Sequence, residues 1–295
     1  TYAHGKISNE KIDDLCHTLK EFAQIMESYK VTAYKAYGTS AIRETENTLI
    51  LQDQIEQRTG IWVETLSNSE QRFLDYKSIA SKGETFRRII EEKTAILDIG
   101  GGSIQISLFD KDTLVSTQNL RLGVLRLQEL LNHLNAGSTQ MERLVDELAT
   151  AQLDDYKKLY LKDREIKNII IVDDYLSPWA VRKAHERGEV NAVVDRKAFS
   201  QLMEALRTKG TTELAKRMDI AEEKVPLVYI SAILTRRIAE LMGAELVWAP
   251  GVTLCDGIAY EYAEQNKMFR GEHDFAEDII ACALNISKRY NGSSK

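Results

Sequence analysis

The spacing of apolar positions along this chain changes period several times. After Ser8, a helix N-cap, the residues Ile12, Leu15, Leu19, Phe22, Met26 and Tyr29 recur at intervals of three and four, one face of an amphipathic helix. Residues 31–37 read as a strand running into Gly38-Thr39-Ser40. A helix over residues 46–58 stops at Gly60, residues 61–66 form a second strand, and Ser67-Asn68-Ser69 caps a helix whose first turn carries Glu70. Strands follow at residues 94–98, 104–109 and 113–120, then helices at 124–134 and 141–161. Residues 168–172 are an unbroken apolar run, as in a parallel strand buried on both faces. Ser177-Pro178 opens a short helix, and Asp195 caps another through Arg207, with more helix to Met218. Residues 227–242 are strongly helical, 245–249 form a strand, and 255–268 a last long helix. The second half thus reads β-β-β-α-β-α-β-α, and the first half, α-β-α-β-α, repeats its last five elements. A duplicated α/β architecture follows, with the first copy lacking its opening strands and a few dozen residues expected upstream of Thr1.

Composition narrows the class. The chain has 295 residues, 43% hydrophobic and 28% charged, enough for two domains with a sizeable core. A net charge of −6 provides no basic field to recruit nucleic acid or an anionic membrane, so neither is an expected partner. A polyanionic substrate would need local basic groups and a metal. The cysteines Cys16, Cys255 and Cys282 are widely spaced and odd in number, which predicts free thiols in a reducing, cytoplasmic setting. No apolar span or signal-peptide pattern is present. Asn285-Ile-Ser and Asn291-Gly-Ser carry no weight as glycosylation sites in such a protein.

The chemistry concentrates at Leu97-Asp98-Ile99-Gly100-Gly101-Gly102-Ser103, a strand, a glycine turn and the start of a second strand. Consecutive glycines permit positive φ and bring successive N–H groups close to a ligand, as in an anion nest. Asp98, at the carboxyl end of a buried strand, offers a hard oxygen where Mg²⁺ could bridge to phosphate. A hairpin with a flexible turn and a surface acid is the competing reading.

This segment resembles the second phosphate loop of the Ppx/GppA phosphatases, the exopolyphosphatases and guanosine pentaphosphate phosphohydrolases. Tyr37-Gly-Thr-Ser-Ala-Ile-Arg-Glu44 is similar to that family's "ATSALRE" stretch, Leu66-Ser-Asn-Ser-Glu-Gln71 to its "SGEEEA" motif, and Asn119-Leu-Arg-Leu-Gly-Val-Leu-Arg-Leu127 to its "LGAVRL" segment. The resemblance is clear over residues 5–134 and continues collinearly to residue 261. It implies an α/β, actin-like (ribonuclease H-like) two-lobed fold with the active site in the cleft. Residues 1–90 would be the remainder of the first lobe, 91–266 the second lobe, and 267–295 a linker and the start of a helical region. A first phosphate loop upstream and an HD-like helical domain downstream are expected. His273-Asp274 is read as a linker dipeptide, because no partner His and Asp follow at usable spacing.

By the same resemblance Glu70 is the catalytic base for water attacking a terminal phosphoryl group. A first-turn glutamate favoured by the helix dipole would be the ordinary alternative. Asp98 would hold Mg²⁺, and Gly100, Gly101, Gly102 and Ser103 would cradle phosphate. Arg43 would approach the phosphates with its bidentate fork, a surface ion pair being the competing role. Arg121 and Arg126 are weaker candidates for that role and are read first as solvated. The chain departs from the family at Gln105, where an acid is common. It also departs at Asp173-Asp174-Tyr175, where a Gly/Ser-rich loop is usual, and at Leu254-Cys-Asp-Gly257, which lacks an arginine. The expected function is a Mg²⁺-dependent hydrolase releasing terminal phosphate from inorganic polyphosphate or guanosine pentaphosphate, with homodimerisation carried over from the family. The alternatives are a catalytically weak homologue that binds a phosphorylated nucleotide as sensor or scaffold, and an actin-like kinase or chaperone ATPase. The last would need a Gly-rich adenosine site, for which only Pro250-Gly251 is present.

Overall fold

The computed structural model describes residues 5–134, 138–271, 273 and 275–289, with the side chains at 138, 139, 282, 285, 288 and 289 excepted. Thr1, Asp274 of the His273-Asp274 pair, Tyr290 and the Asn291-Gly-Ser triplet therefore lie outside the described residues, as do the side chains of Cys282 and Asn285. The chain divides into two compact units, Thr1–Gln71 and Arg72–Lys295.

The first unit contains α1 (Asn9–Ser28), β1 (Tyr37–Gly38), α2 (Ser40–Arg43), α3 (Thr48–Thr59), β2 (Glu64–Thr65) and the first turn of α4 (Asn68–Ala80). Ser8 caps α1 by accepting the Lys11 N–H. The apolar stripe of α1 buries Ile12 and Cys16 against Leu51 and Ile55 of α3 and against Ile61 and Val63. Gly60 ends α3 at φ 72°, a left-handed C-cap. The two expected strands are much shorter than their apolar runs suggest, and pair parallel with Tyr37 opposite Glu64. A ladder needs a neighbour to accept its hydrogen bonds. Among the described residues β1 has only β2, so residues 31–36 stay outside any strand, with Val31 and Tyr34 exposed.

The second unit continues with α5 (Glu84–Ile90), β3 (Thr94–Ile99), β4 (Ile104–Asp110), β5 (Thr113–Leu120), α6 (Val124–His133) and α7 (Ser138–Tyr156), which ends in a π-helical turn at Lys157–Leu161. Then come β6 (Asn168–Asp173), α8 (Leu176–Glu186), β7 (Val193–Val194), α9 (Arg196–Thr208), α10 (Thr211–Met218), α11 (Val225–Met242), β8 (Leu246–Trp248), α12 (Leu254–Gln265) and α13 (Phe275–Arg289). The sheet order is β5-β4-β3-β6-β8-β7. Strands β5, β4 and β3 are antiparallel, and β3, β6 and β8 are parallel. Alternation separates two cores. Ala95, Leu97, Ile99, Ile169 and Ile171 face α6 to α11, whereas Ile96, Ile170, Val172 and Trp248 face Tyr76 and Ile79 of α4, Phe86 of α5 and Phe275 of α13. Asp98 shares strand parity with Ile96, which places it on the α4 face.

His273 is more than a linker residue. Its ring nitrogens lie 3.2 Å from Asp112 and 2.6 Å from Asp278, and Asp278 also accepts the Leu114 N–H of β5. Together with Phe275 stacked on Tyr76, this fastens the start of α13 to the sheet. Cys16 and Cys255 are free thiols. No helix among the described residues is long and apolar enough to cross a membrane.

Candidate active site

The residues singled out by sequence fall on both units, Glu70 and Arg43 on the first and Asp98 to Ser103 on the second. In the first, Ser67 and Glu70 form a reciprocal capping box. The Glu70 N–H donates to Ser67 Oγ at 3.2 Å, and the Ser67 N–H donates to Glu70 Oε2 at 2.8 Å. The exposed Glu70 carboxyl is held below the ordinary glutamate value, first by the Ser67 N–H and then by its hydroxyl. Arg43, half-buried in α2, donates from Nη1 to the Leu66 carbonyl at 2.6 Å. That bond ties the α2 end to the residue preceding the Glu70 turn.

In the second unit, β3 delivers Asp98 and runs into the glycine loop. The loop does not use positive φ: Gly100, Gly101 and Gly102 all lie outside the left-handed region, contrary to the expectation from sequence. Their value is the missing side chain. A Cβ on Gly101 would lie 2.8 Å from Leu125 Cδ1, and one on Gly123 only 2.2 Å from the Gly102 carbonyl carbon. This close approach lets the first turn of α6 take the loop carbonyls. The Val124 N–H donates to Gly100 O at 3.0 Å, the Arg126 N–H to Gly101 O at 3.0 Å, and Arg126 Nε to Gly102 O at 2.8 Å. No cis peptide occurs among the described residues, and in a trans peptide C=O and N–H point in opposite directions. The N–H groups of Gly101, Gly102 and Ser103 consequently face away from α6. None of the three donates to a protein acceptor among the described residues. They are suited to an anion. Arg126, read from sequence as solvated, braces the loop.

Beside the loop lies a network that sequence inspection missed. Gln105 sits directly opposite Asp98 in the β3–β4 register and is 2% exposed. Its Oε1 accepts Arg72 Nε at 3.1 Å, which fixes the amide orientation, so Nε2 donates to Asp98 Oδ2 at 3.1 Å. Asp75, on the face of α4 turned to the sheet, is 3% exposed, and its Oδ2 has no hydrogen-bond partner. Burial, then the adjacent Asp98 carboxylate, and more weakly Asp174, push the Asp75 carboxyl well above the ordinary aspartate range, against a smaller opposing effect from Arg72. No signal in the sequence marked Asp75, an acid in a stretch with Lys77 and Ser78 that looks solvated. No cluster of three or more potential metal-ligating side chains occurs among the described residues.

The departures noted in the sequence have structural roles. Asp173 accepts the Leu176 and Ser177 N–H groups at 2.8 and 2.7 Å and the Ser231 hydroxyl at 2.7 Å, so its own carboxylate fills the N-terminus of α8. Asp256 closes a capping box with Thr253, and a Cβ on Gly257 would lie 1.9 Å from the Leu74 carbonyl oxygen, so α12 meets α4 there without a side chain between them.

The sheet order, with three antiparallel strands joined to parallel β6 and β8, defines the second unit as actin-like in fold. The profile of the Ppx/GppA phosphatase family matches residues 1–266, and the chain belongs to that family. Exopolyphosphatase 1 of Mycobacterium bovis is 32% identical over 108 residues, which cover 36% of this chain and 30% of that protein, so the match spans less than a third of the curated relative. Among solved structures, an exopolyphosphatase from Cytophaga hutchinsonii superposes with a TM-score of 0.73 at 19% identity, covering 89% of this chain and 85% of that one. The Aquifex aeolicus Ppx/GppA family member superposes with 0.67 at 15% identity, covering 90% and 85%.

Proposed function

We propose that the chain hydrolyses phosphoanhydrides, releasing terminal phosphate from inorganic polyphosphate, with guanosine pentaphosphate as a second substrate of the same chemistry. The observation that carries this reading is the loop whose three carbonyls are taken by α6, so that three successive N–H groups face the other way. Those amides and the Ser103 hydroxyl hold phosphate oxygens, and Arg126 keeps the loop from turning over. Glu70 is the base that accepts the proton of the attacking water. Its cap bonds favour the ionised form, and Arg43 is the cation that the family resemblance assigns to the phosphates. The carboxylates of Asp98 and Asp75 fit Mg²⁺, which takes hard oxygen ligands, and one of their oxygens is buried without a hydrogen bond. Bound Mg²⁺ would neutralise phosphate charge. Family membership and the exopolyphosphatase names of its relatives support the substrate class.

A weakly catalytic nucleotide sensor is the second reading, favoured by Gln105 standing where an acid is common. Asp173 weighs against a nucleotide phosphate at α8, because its carboxylate already holds that helix end. Phosphate release from long-chain polyphosphate, measured on the full-length protein with Mg²⁺, decides between them. Release that Glu70→Gln lowers by about 10²-fold or more establishes the hydrolase and its base together. A folded protein with no release from polyphosphate or guanosine pentaphosphate would overturn it in favour of binding alone.

A further inference from the structure

Two carboxylates, Asp75 from α4 and Asp98 from β3, lie within hydrogen-bond reach of each other inside the second unit. Asp75 is 3% exposed, and its Oδ2 takes no hydrogen bond. A buried carboxylate oxygen is ordinarily satisfied, because an orphaned charged acceptor keeps its full desolvation penalty. Arg72, whose charge acts on Asp75, spends its Nε on Gln105 Oε1. Gln105 in turn offers its amide N–H to Asp98 Oδ2, not to Asp75. Two like charges in contact cannot both remain ionised unless a proton or a cation lies between them. The unbonded, buried Oδ2 of Asp75 is where a cation would be received. Mg²⁺ and Mn²⁺ are held by one or two protein carboxylates, with water and phosphate completing the shell, so a pair suffices. The loop beside Asp98, with its three outward N–H groups, is where such a phosphate would sit.

We propose that Asp75 and Asp98 together bind one divalent cation, with Asp75 supplying from α4 the second carboxylate that Gln105 cannot supply from β4. This rests on the reading of Asp98 as a metal ligand and goes beyond it in the identity of its partner. Gln105 is then a positioning residue: locked by Arg72, it holds Asp98 through the amide bond to Oδ2.

The test uses Mn²⁺ as a paramagnetic probe, titrated into the full-length protein without substrate and followed by electron paramagnetic resonance. The shift of the unfolding midpoint with Mg²⁺ is the second readout. The wild type should bind one Mn²⁺ per chain at this site. Asp75→Asn, which keeps shape and can still be hydrogen-bonded, should weaken binding by about tenfold or more and abolish the Mg²⁺-dependent midpoint shift. Asp98→Asn should do the same, and the double variant should be no worse than either, as for a single shared ion. Asp75→Asn/Gln105→Glu, which returns a carboxylate to the strand, should recover most of the affinity and guards against a loss caused by misfolding. If Asp98→Asn loses Mn²⁺ while Asp75→Asn keeps it, the partner assignment falls and the Asp98 reading survives. If neither variant changes binding, both fall. An Asp75→Asn protein that is more stable and binds Mn²⁺ like the wild type would identify the pair as carboxyls sharing a proton, and would overturn the proposal.

Discussion

The carboxylate of Glu70 carries a structural and a chemical load at once. It closes the capping box on α4 through the Ser67 N–H, and it is the base proposed for hydrolysis. The hydrogen bonds that complete the box also favour the ionised form, so the base is ready at neutral pH but intrinsically weaker. Ser67→Ala separates the two loads. It removes the hydroxyl that accepts the Glu70 N–H and leaves the backbone bond to Oε2 in place. Stability should fall by about 1 kcal/mol, the usual worth of an N-cap side chain. A carboxyl with a lowered pKa is active above that value and loses activity as the pH falls through it. Losing part of the cause should therefore move the acid limb of kcat to higher pH, toward the ordinary glutamate value of about 4.3. A pH–rate profile of the variant checks this. An unmoved limb, with the cap demonstrably weakened, would assign the titrating group elsewhere.

At the scale of elements, the Gly100–Gly102 loop depends on how closely α6 approaches it. Gly123 and Gly210 are both helix N-caps with nearly the same backbone, φ −68° and ψ 151° or 150°. A Cβ on Gly210 meets nothing within 4 Å, whereas one on Gly123 would lie 2.3 Å from both Gly101 O and Ser103 N. Comparing Gly123→Ala with Gly210→Ala thus isolates the steric part from the capping part. Gly123→Ala should cost about 1–3 kcal/mol more than its control, the usual range for overpacking. It should also weaken pyrophosphate binding, because separating α6 from the loop frees the carbonyls that aim the N–H groups. Calorimetric titration and thermal unfolding of both variants measure the two effects, and equal behaviour would remove α6 from the account of the loop. The glycine triplet stood out in sequence, but the structure uses it for a different physical reason from the one its composition suggests. A string of glycines advertises backbone freedom, and only the tertiary contact with Leu125 and Gly123 reveals that absence of volume is what the site uses. Strands β3 and β6 were legible because each carries a short apolar run, Ala95 to Leu97 and Ile169 to Val172, buried in the middle of the sheet. The two-residue β7 and the seven-residue α5 were not, since neither spans enough residues to establish a period. Asp75 was hidden by α4 itself, a helix that buries Leu74 through Ile79 almost all round, polar residues included.

For the whole molecule, acid stability should be governed by one anchored ion cluster more than by the net charge of −6. Glu142 of α7 accepts Arg207 of α9 through both oxygens at 2.7 Å, Arg236 of α11 at 2.5 Å and the Tyr229 hydroxyl at 3.0 Å, joining the helices on one side of the sheet. These bonds, Arg207 foremost, outweigh burial and hold the carboxyl at about 2. Since the folded value lies below the unfolded one, the stabilisation is complete above the ordinary glutamate pKa of about 4.3 and is lost as the pH falls toward 2. Glu142→Gln should therefore destabilise the protein at pH 7 by on the order of 2–3 kcal/mol, and the gap to wild type should narrow as the pH is lowered from 4.5. Part of the loss at neutral pH comes from Arg236, which would keep Asp146 at 3.0 Å but lose its shorter partner. Urea unfolding of both proteins at pH 7 and pH 3 measures the difference directly. A gap that is the same at both values would mean that shape, not charge, is what Glu142 contributes between the helices.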